Sequence, residues 1–386
     1  MTVKGVTSDF AFTRNPIVLR ASILSEQLGK LVISNRGQIV YEGRCYLPAE
    51  INVAEVLDAF SAPVSEEAIG AVALGVEIVE DSAMLELRRF ICEISADSAQ
   101  GDDECEVYAI PGGVSTATWQ KTLKRGRDIF DSRFLNHSMN FFLTTRRDGS
   151  HLRLKETELY PLYFFGKSDE TLRVVERSGH YHFDFTLPGK GIYRMDFDAL
   201  RRRFFDEFGI IPAVFSVWCG NKPACNVVIE RAEATKHHTR LKFRNRLGVF
   251  EIVDLTGPLS FGPEYDTDDS TFKQYNSTAD CYESVRERPD GKFVASVDTG
   301  IILQDELPYV LGLLESEEVW LLDVFPEPYK VLPSAENLLF DARPESPVSF
   351  TLKLEFSLPA TDLLCSSGNS SKSGGVFTSQ FTEQFT

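Results

Sequence analysis

The sequence predicts an all-β fold: tandem β-sandwich-like domains with a few short helices. Three observations carry that expectation. The chain holds 29 Phe against 4 Met, and aromatic side chains suit a pleated, half-buried surface better than a helical bundle. Apolar and polar residues alternate with a period of two, as they do where one face of a strand is buried and the other wet. Between the alternating stretches stand Pro- and Gly-bearing turn signals. A length of 386 residues, 43% hydrophobic and 25% charged, is globular composition, which excludes a wholly disordered chain. At roughly 100–200 residues per domain it predicts two or three domains.

The elements follow in chain order. Asn35-Arg36-Gly37 marks a turn and Val53–Phe60 a short helix. A polar run over 95–103, then Pro111-Gly112-Gly113, closes an N-terminal β-sandwich-like domain over 1–111. Asp148-Gly149 is a further turn. Tyr181, Phe183, Phe185 and Leu187 alternate with His180, His182, Asp184 and Thr186, run into Pro188-Gly189-Lys190-Gly191, and resume at Tyr193, Met195 and Phe197. That pattern predicts a hairpin. Asp198 is the expected N-cap of a helix with Leu200, Phe204 and Phe208 on one stripe and Gly209 as its stop. Arg201-Arg202-Arg203 in its first turns is read as a solvated face in preference to an anion patch.

His237-His238-Thr239 precedes a new strand run, so the middle domain covers 112–236 and a C-terminal β-sandwich-like domain covers 237–365. In it fall a turn over Arg288–Lys292, a short helix over Leu307–Leu314, and one long strand. The strand has Val348, Phe350, Leu352, Leu354, Phe356 and Leu358 on its apolar face. Residues 366–386 are a Ser/Gly linker followed by a Phe-rich tail peptide. Phe377, Phe381 and Phe385 share one face in a helix or a strand, an apolar row suited to docking on a partner. The plain alternative is a frayed terminus with incidental Phe.

Charge and cysteine usage bound the function. Lys+Arg 40 against Asp+Glu 57 gives a net charge of −17, which argues against a nucleic-acid partner, because that affinity rests on clustered Lys and Arg. The N-terminus lacks the apolar core of a signal peptide, and no run of 18 apolar residues predicts a membrane span. Seven cysteines without a CxxC pair suit reduced thiols better than a disulfide framework or a zinc site. Three Asn-x-Ser/Thr triplets, at Asn136, Asn276 and Asn369, are chance matches without a secretory route.

No catalytic motif survives inspection. Gly166-Lys167-Ser168 lacks the Gly a phosphate-binding loop needs five positions earlier, where Pro161 stands. Gly189-Lys190-Gly191 has Arg194 in place of the third Gly of a dinucleotide fingerprint. Neither G-x-S-x-G nor H-E-x-x-H occurs. His180, His182 and Asp184 are weak metal candidates, for spacing by two on a strand would point all three from one face. The favoured reading is a solvated strand face. Glu264, Asp266, Asp268 and Asp269 form an acidic cluster without the Gly and Glu of an EF-hand loop. Trp119, Trp218 and Trp320 could stack on sugars, but Trp218 and Trp320 lie in apolar strands and are expected in the core. The sequence thus assigns no catalytic residue, no metal and no cofactor.

Several stretches together resemble a family. They are Phe10–Ile23 (FAFTRNPIVLRASI), Tyr41–Leu57 (YEGRCYLPAEINVAEVL), His137–Arg146 (HSMNFFLTTR), Lys155–Phe165 (KETELYPLYFF), Leu241–Gly257 (LKFRNRLGVFEIVDLTG), Leu313–Asp323 (LLESEEVWLLD) and Gly375–Thr386 (GVFTSQFTEQFT). In this order they resemble uncharacterised tail or virion-associated proteins of phages and prophages of gut Bacteroidetes. The resemblance implies a non-enzymatic structural protein, made in the bacterial cytoplasm and carried in the virion. Its expected partners are other virion proteins or further copies of itself. A carbohydrate-binding or adhesin module and a glycan-cleaving hydrolase are the alternatives. The family supplies no catalytic residues.

Overall fold

The computed structural model describes residues 1–21, 27–61, 75–80, 85–96, 103–135, 141–146, 151–167, 169–232, 234–265, 271–286, 291–303, 306–335, 338 and 348–359. Among the described residues strands make up 50% and helices 17%, where an average globular domain is about a third helix. The chain is mostly β, in several sheets with a few short helices. No helix among the described residues is long and apolar enough to cross a membrane.

The chain divides into two compact units. The first comprises Met1–Ala232, Arg244–Ile252 and Asp305–Ser316, the second Glu233–Phe243, Val253–Gln304 and Glu317–Thr386. The expected boundary near 236 lies beside the start of the second unit; the one near 112 lies inside the first.

Within the first unit, a five-stranded sheet orders Phe10–Phe12, Asp103–Ile110, Arg89–Ala96, Gln27–Asn35 and Gln38–Leu47. Its last two strands join through Arg36 and Gly37, both at positive φ (53° and 76°), the geometry of a tight two-residue hairpin turn. Alternation along Phe10–Phe12 separates two cores. Ala11 packs with Leu31, Ile33 and Phe90, while Phe10 and Phe12 pack with Phe130, Phe134 and Phe165.

A three-stranded sheet of Leu162–Gly166, Gly191–Met195 and Val76–Glu80 lies between cores. Phe164, Tyr193 and Met195 face one cluster; Tyr163, Phe165 and Ile192 face the other. Both faces of a strand so placed are dry, hence the unbroken run Leu162-Tyr163-Phe164-Phe165. The far side of the first cluster is a second five-stranded sheet, ordered His151–Lys155, Lys222–Glu230, Val214–Cys219, Thr171–Glu176 and His182–Thr186.

The expected hairpin over 181–197 is therefore corrected. His182–Thr186 pairs with Thr171–Glu176, whereas Gly191–Met195 pairs with Leu162–Gly166 in the other sheet. The first strand keeps a wet face and the second is buried throughout, so each fits a different layer. Pro188–Lys190 links sheets and does not close a ladder.

The helix after this link spans Phe197–Phe208, two residues' difference at its start. Asp196, not Asp198, is the N-cap: its side chain accepts from the backbone N–H of Asp198 and Ala199. Gly209 ends it at φ 69°, as expected. The short helices Ala54–Phe60 and Leu307–Leu314 also form. Thr116–Lys124, capped by Ser115, is a helix the sequence reading did not include. Its Trp119 is buried, while Trp218 and Trp320, expected in the core, are only half-buried.

The second unit centres on a seven-stranded sheet ordered Phe250–Leu255, Thr239–Arg244, Val319–Leu321, Tyr329–Ala335, Thr351–Pro359, Gly291–Asp298 and Leu259–Tyr265. In Thr351–Pro359 the residues Leu352, Leu354 and Phe356 are buried, matching the predicted alternation. A separate antiparallel hairpin joins Thr271–Asn276 to Cys281–Arg286.

Candidate functional site

Among the described residues, those proposed from sequence are not brought together into a site. His180 lies in the turn before the strand, with its backbone N–H donated to Glu176 at 3.2 Å. His182 and Asp184 do share an exposed strand face, 3.9 Å apart at closest approach. Asp184, however, is engaged by Arg173, whose Nε and Nη2 donate to its two oxygens at 2.7 and 3.0 Å. That fork holds the Asp184 carboxyl below its ordinary range. Among the described residues no three His, Cys, Asp or Glu form a metal-binding group. Of the acidic cluster, Glu264 pairs with Lys353 at 2.6 Å; Asp266, Asp268 and Asp269 lie outside the described residues. So do Phe377, Phe381 and Phe385.

What the first unit does build is a buried ionic cluster around Arg146. Its Nη1 donates to Glu158 Oε2 at 2.7 Å, and its Nη2 to the Ile252 carbonyl at 2.8 Å and the Tyr309 hydroxyl at 2.7 Å. The Tyr309 hydroxyl donates onward to the same carbonyl. Glu251 lies 3.9 Å from Arg146 Nε. It accepts from the Thr144 hydroxyl, from Asn245 Nδ2 at 2.6 Å, and from the Thr145 backbone at 3.3 Å. The side chains of Arg146, Glu158 and Glu251 are 9%, 4% and 3% exposed.

Local backbone explains the convergence. Asn245 Oδ1 accepts from the N–H groups of Leu247 and Val249, holding a tight loop. Gly248 in that loop has φ 89°, and a Cβ there would lie 1.9 Å from the Pro111 carbonyl oxygen. Only glycine allows that approach. The loop then delivers Glu251 and Ile252 to Arg146.

Electrostatics gives the cluster an excess of acid, two carboxylates against one guanidinium. Burial pushes the Glu251 carboxyl above the ordinary glutamate range, with Arg146 offsetting part of the effect. Burial likewise raises the Tyr309 hydroxyl well above its usual value. Every donor and acceptor named here points inward. As arranged, the cluster ties together chain segments around residues 146, 158, 251 and 309. The sequence reading missed it because the partners lie up to 163 positions apart.

A second pairing, in the second unit, was also missed. His238 Nδ1 meets Asp254 Oδ2 at 2.7 Å, with the Asp254 side chain 1% exposed and the His238 side chain 30%. The geometry is that of a base and its orienting acid. Among the described residues no hydroxyl or thiol hydrogen-bonds this ring.

Exposed apolar side chains mark the remaining candidates. On the 271–286 hairpin Phe272, Tyr275 and Tyr282 are 50%, 51% and 70% exposed. Tyr275 and Tyr282 stand opposite each other, their rings 5.4 Å apart and tilted by 60°. Phe272, an odd number of residues from Tyr275, projects from the other face. The strand Gln38–Leu47, ten residues at a sheet edge, exposes Ile39, Tyr41 and Tyr46.

No family model matches this chain, and no curated protein matches it. What the fold defines is a mostly β, multi-sheet chain with a few short helices.

Proposed function

We propose that this chain is a non-enzymatic assembly protein of a phage or prophage-derived particle, associated with its tail or baseplate. It works through protein–protein contacts with neighbouring particle proteins or further copies of itself. The observation that supports this reading is the 271–286 hairpin. A two-stranded hairpin is marginal in water by itself, and this one carries exposed aromatic residues on both faces. Contact with a partner on either face would bury them and stabilise the ladder. The exposed edge Gln38–Leu47 offers a second place for strand addition. A sugar platform would want coplanar rings on one face, and the 60° tilt of Tyr275 against Tyr282 does not supply one. A glycan hydrolase would want two carboxylates facing a cleft, and Glu158 and Glu251 turn inward on Arg146.

The test is incorporation. Tyr275→Ser/Tyr282→Ser removes a ring pair and the Tyr275–Asp280 hydrogen bond within the hairpin but no contact of the buried cores, so the melting temperature of the body should stay within a degree or two of the parent. The amount of variant in gradient-purified particles, quantified by mass spectrometry, should fall on the order of tenfold or more, as for a lost interface anchor. Equal incorporation of variant and parent contradicts the proposal.

A further inference from the structure

Two of the seven cysteines, unremarkable in sequence, are brought face to face. The strands Arg89–Ala96 and Asp103–Ile110 pair antiparallel, and their register sets Cys92 directly opposite Cys105. Opposed residues of an antiparallel pair have Cα atoms about 4.5 or 5.5 Å apart. Either spacing lies inside the roughly 4.4–6.8 Å that a disulfide spans. Their side chains leave the same face of the sheet, so the Cβ vectors run together. Both thiols are free.

Their surroundings differ in a useful way. Cys92 is fully buried, in the core with Ile33 and Ile94, whereas Cys105 is half-buried at the margin of that core. Interaction with the facing Cys92 holds the Cys105 thiol below its ordinary range, while that interaction and burial raise Cys92. Cys105 is the reachable nucleophile and Cys92 the resolving thiol behind it.

We propose that Cys92 and Cys105 form a redox-active cross-strand dithiol that closes to an intrachain disulfide by exchange with a small-molecule disulfide. Cys105 loses its proton to water and its sulfur attacks one sulfur of RS–SR. The S–S bond breaks, and the leaving thiolate takes up a proton as RSH. Cys92 then loses its proton and attacks Cys105 Sγ of the mixed disulfide, expelling the second RSH. Two protein thiols are oxidised and one small disulfide is reduced to two thiols, so no further oxidant is required. The other described cysteines lack this arrangement: Cys45 stands opposite Gly29, Cys219 opposite Lys222, Cys225 opposite Val217, and Cys281 opposite Asn276.

The test treats the full-length reduced protein with oxidised glutathione, alkylates remaining thiols in denaturant, and maps the peptides by mass spectrometry. The expected product is a linked Cys92–Cys105 peptide pair, with Cys219 and Cys225 alkylated. Closure should raise the melting temperature by a few degrees, since it cross-links the unfolded chain, and dithiothreitol should reverse the shift. In Cys92→Ser, glutathione should remain trapped on Cys105 and the shift should vanish. Should that variant fail to fold, the map of the parent protein decides alone. Alkylation of both Cys92 and Cys105 while Cys281 has reacted overturns the proposal, as does glutathione left on Cys105 of the parent without closure.

Discussion

The Arg146 guanidinium lies over the Tyr309 ring, 4.0 Å from its centroid, and also donates to that tyrosine's hydroxyl at 2.7 Å. One cation thus satisfies a π face, a hydroxyl, a carbonyl and a carboxylate at once. Removing it should strand Glu158 and Glu251 in the core. Arg146→Met is expected to cost about 3–5 kcal/mol, the usual effect of leaving a buried charge without its partner. The triple variant Arg146→Met/Glu158→Leu/Glu251→Gln should recover much of that loss, because the stranded acids go too. Urea unfolding of the three proteins measures both numbers; a loss near zero in the single variant would show that the cluster ties nothing.

The raised Glu251 carboxyl makes a pH prediction with a definite sign. An acid whose folded pKa exceeds its unfolded value is disfavoured in the fold once ionised. Its stabilising share is fully present below the unfolded value of about 4.5 and is lost as pH rises through the higher folded value. Glu251→Gln cannot ionise, so the variant should gain stability relative to the parent as pH rises across that window. Urea midpoints taken from acid to neutral pH test this; a constant difference between the two proteins would show that the Glu251 carboxyl titrates alike in the folded and unfolded chains.

Arg173 occupies both oxygens of Asp184, and His180 stands outside the strand that carries His182. Adding zinc or a chelator at fixed ionic strength should therefore leave the melting temperature unchanged. A ligand specific for the native state would raise it by mass action. A zinc-dependent rise that Asp184→Asn abolishes would restore these residues as a metal site.

Much of the fold was legible because it rests on local patterns. Period-two alternation gave Thr351–Pro359, turn chemistry gave the Asn35–Gly37 hairpin, and the apolar run Leu307–Leu314 gave a helix. The partners of strands were not legible. Pro188–Gly191 reads locally as a hairpin turn, yet the dry two-sided packing of Tyr193 and Ile192 assigns that strand to another layer. Trp218 and Trp320 misled in the same way, since an apolar strand does not say which of its faces is covered. The Arg146 cluster and the Cys92–Cys105 pair depend on loop closure and register, which no spacing along the sequence encodes.

The tail prediction rests on sequence. Deleting residues 376–386 should leave the melting temperature of the body almost unchanged. Assembly or partner capture should weaken. Equal assembly by full-length and truncated chains would remove any docking role from Phe377, Phe381 and Phe385.

Amide hydrogen exchange of the 271–286 hairpin, compared between the free chain and gradient-purified particles, tests the assembly proposal most directly. In the free chain these amides should exchange fast, as expected of a two-stranded ladder with exposed side chains. In particles they should be strongly protected, with protection reaching Phe272, Tyr275 and Tyr282. Identical exchange in both samples, or absence of the chain from the particles, would contradict it.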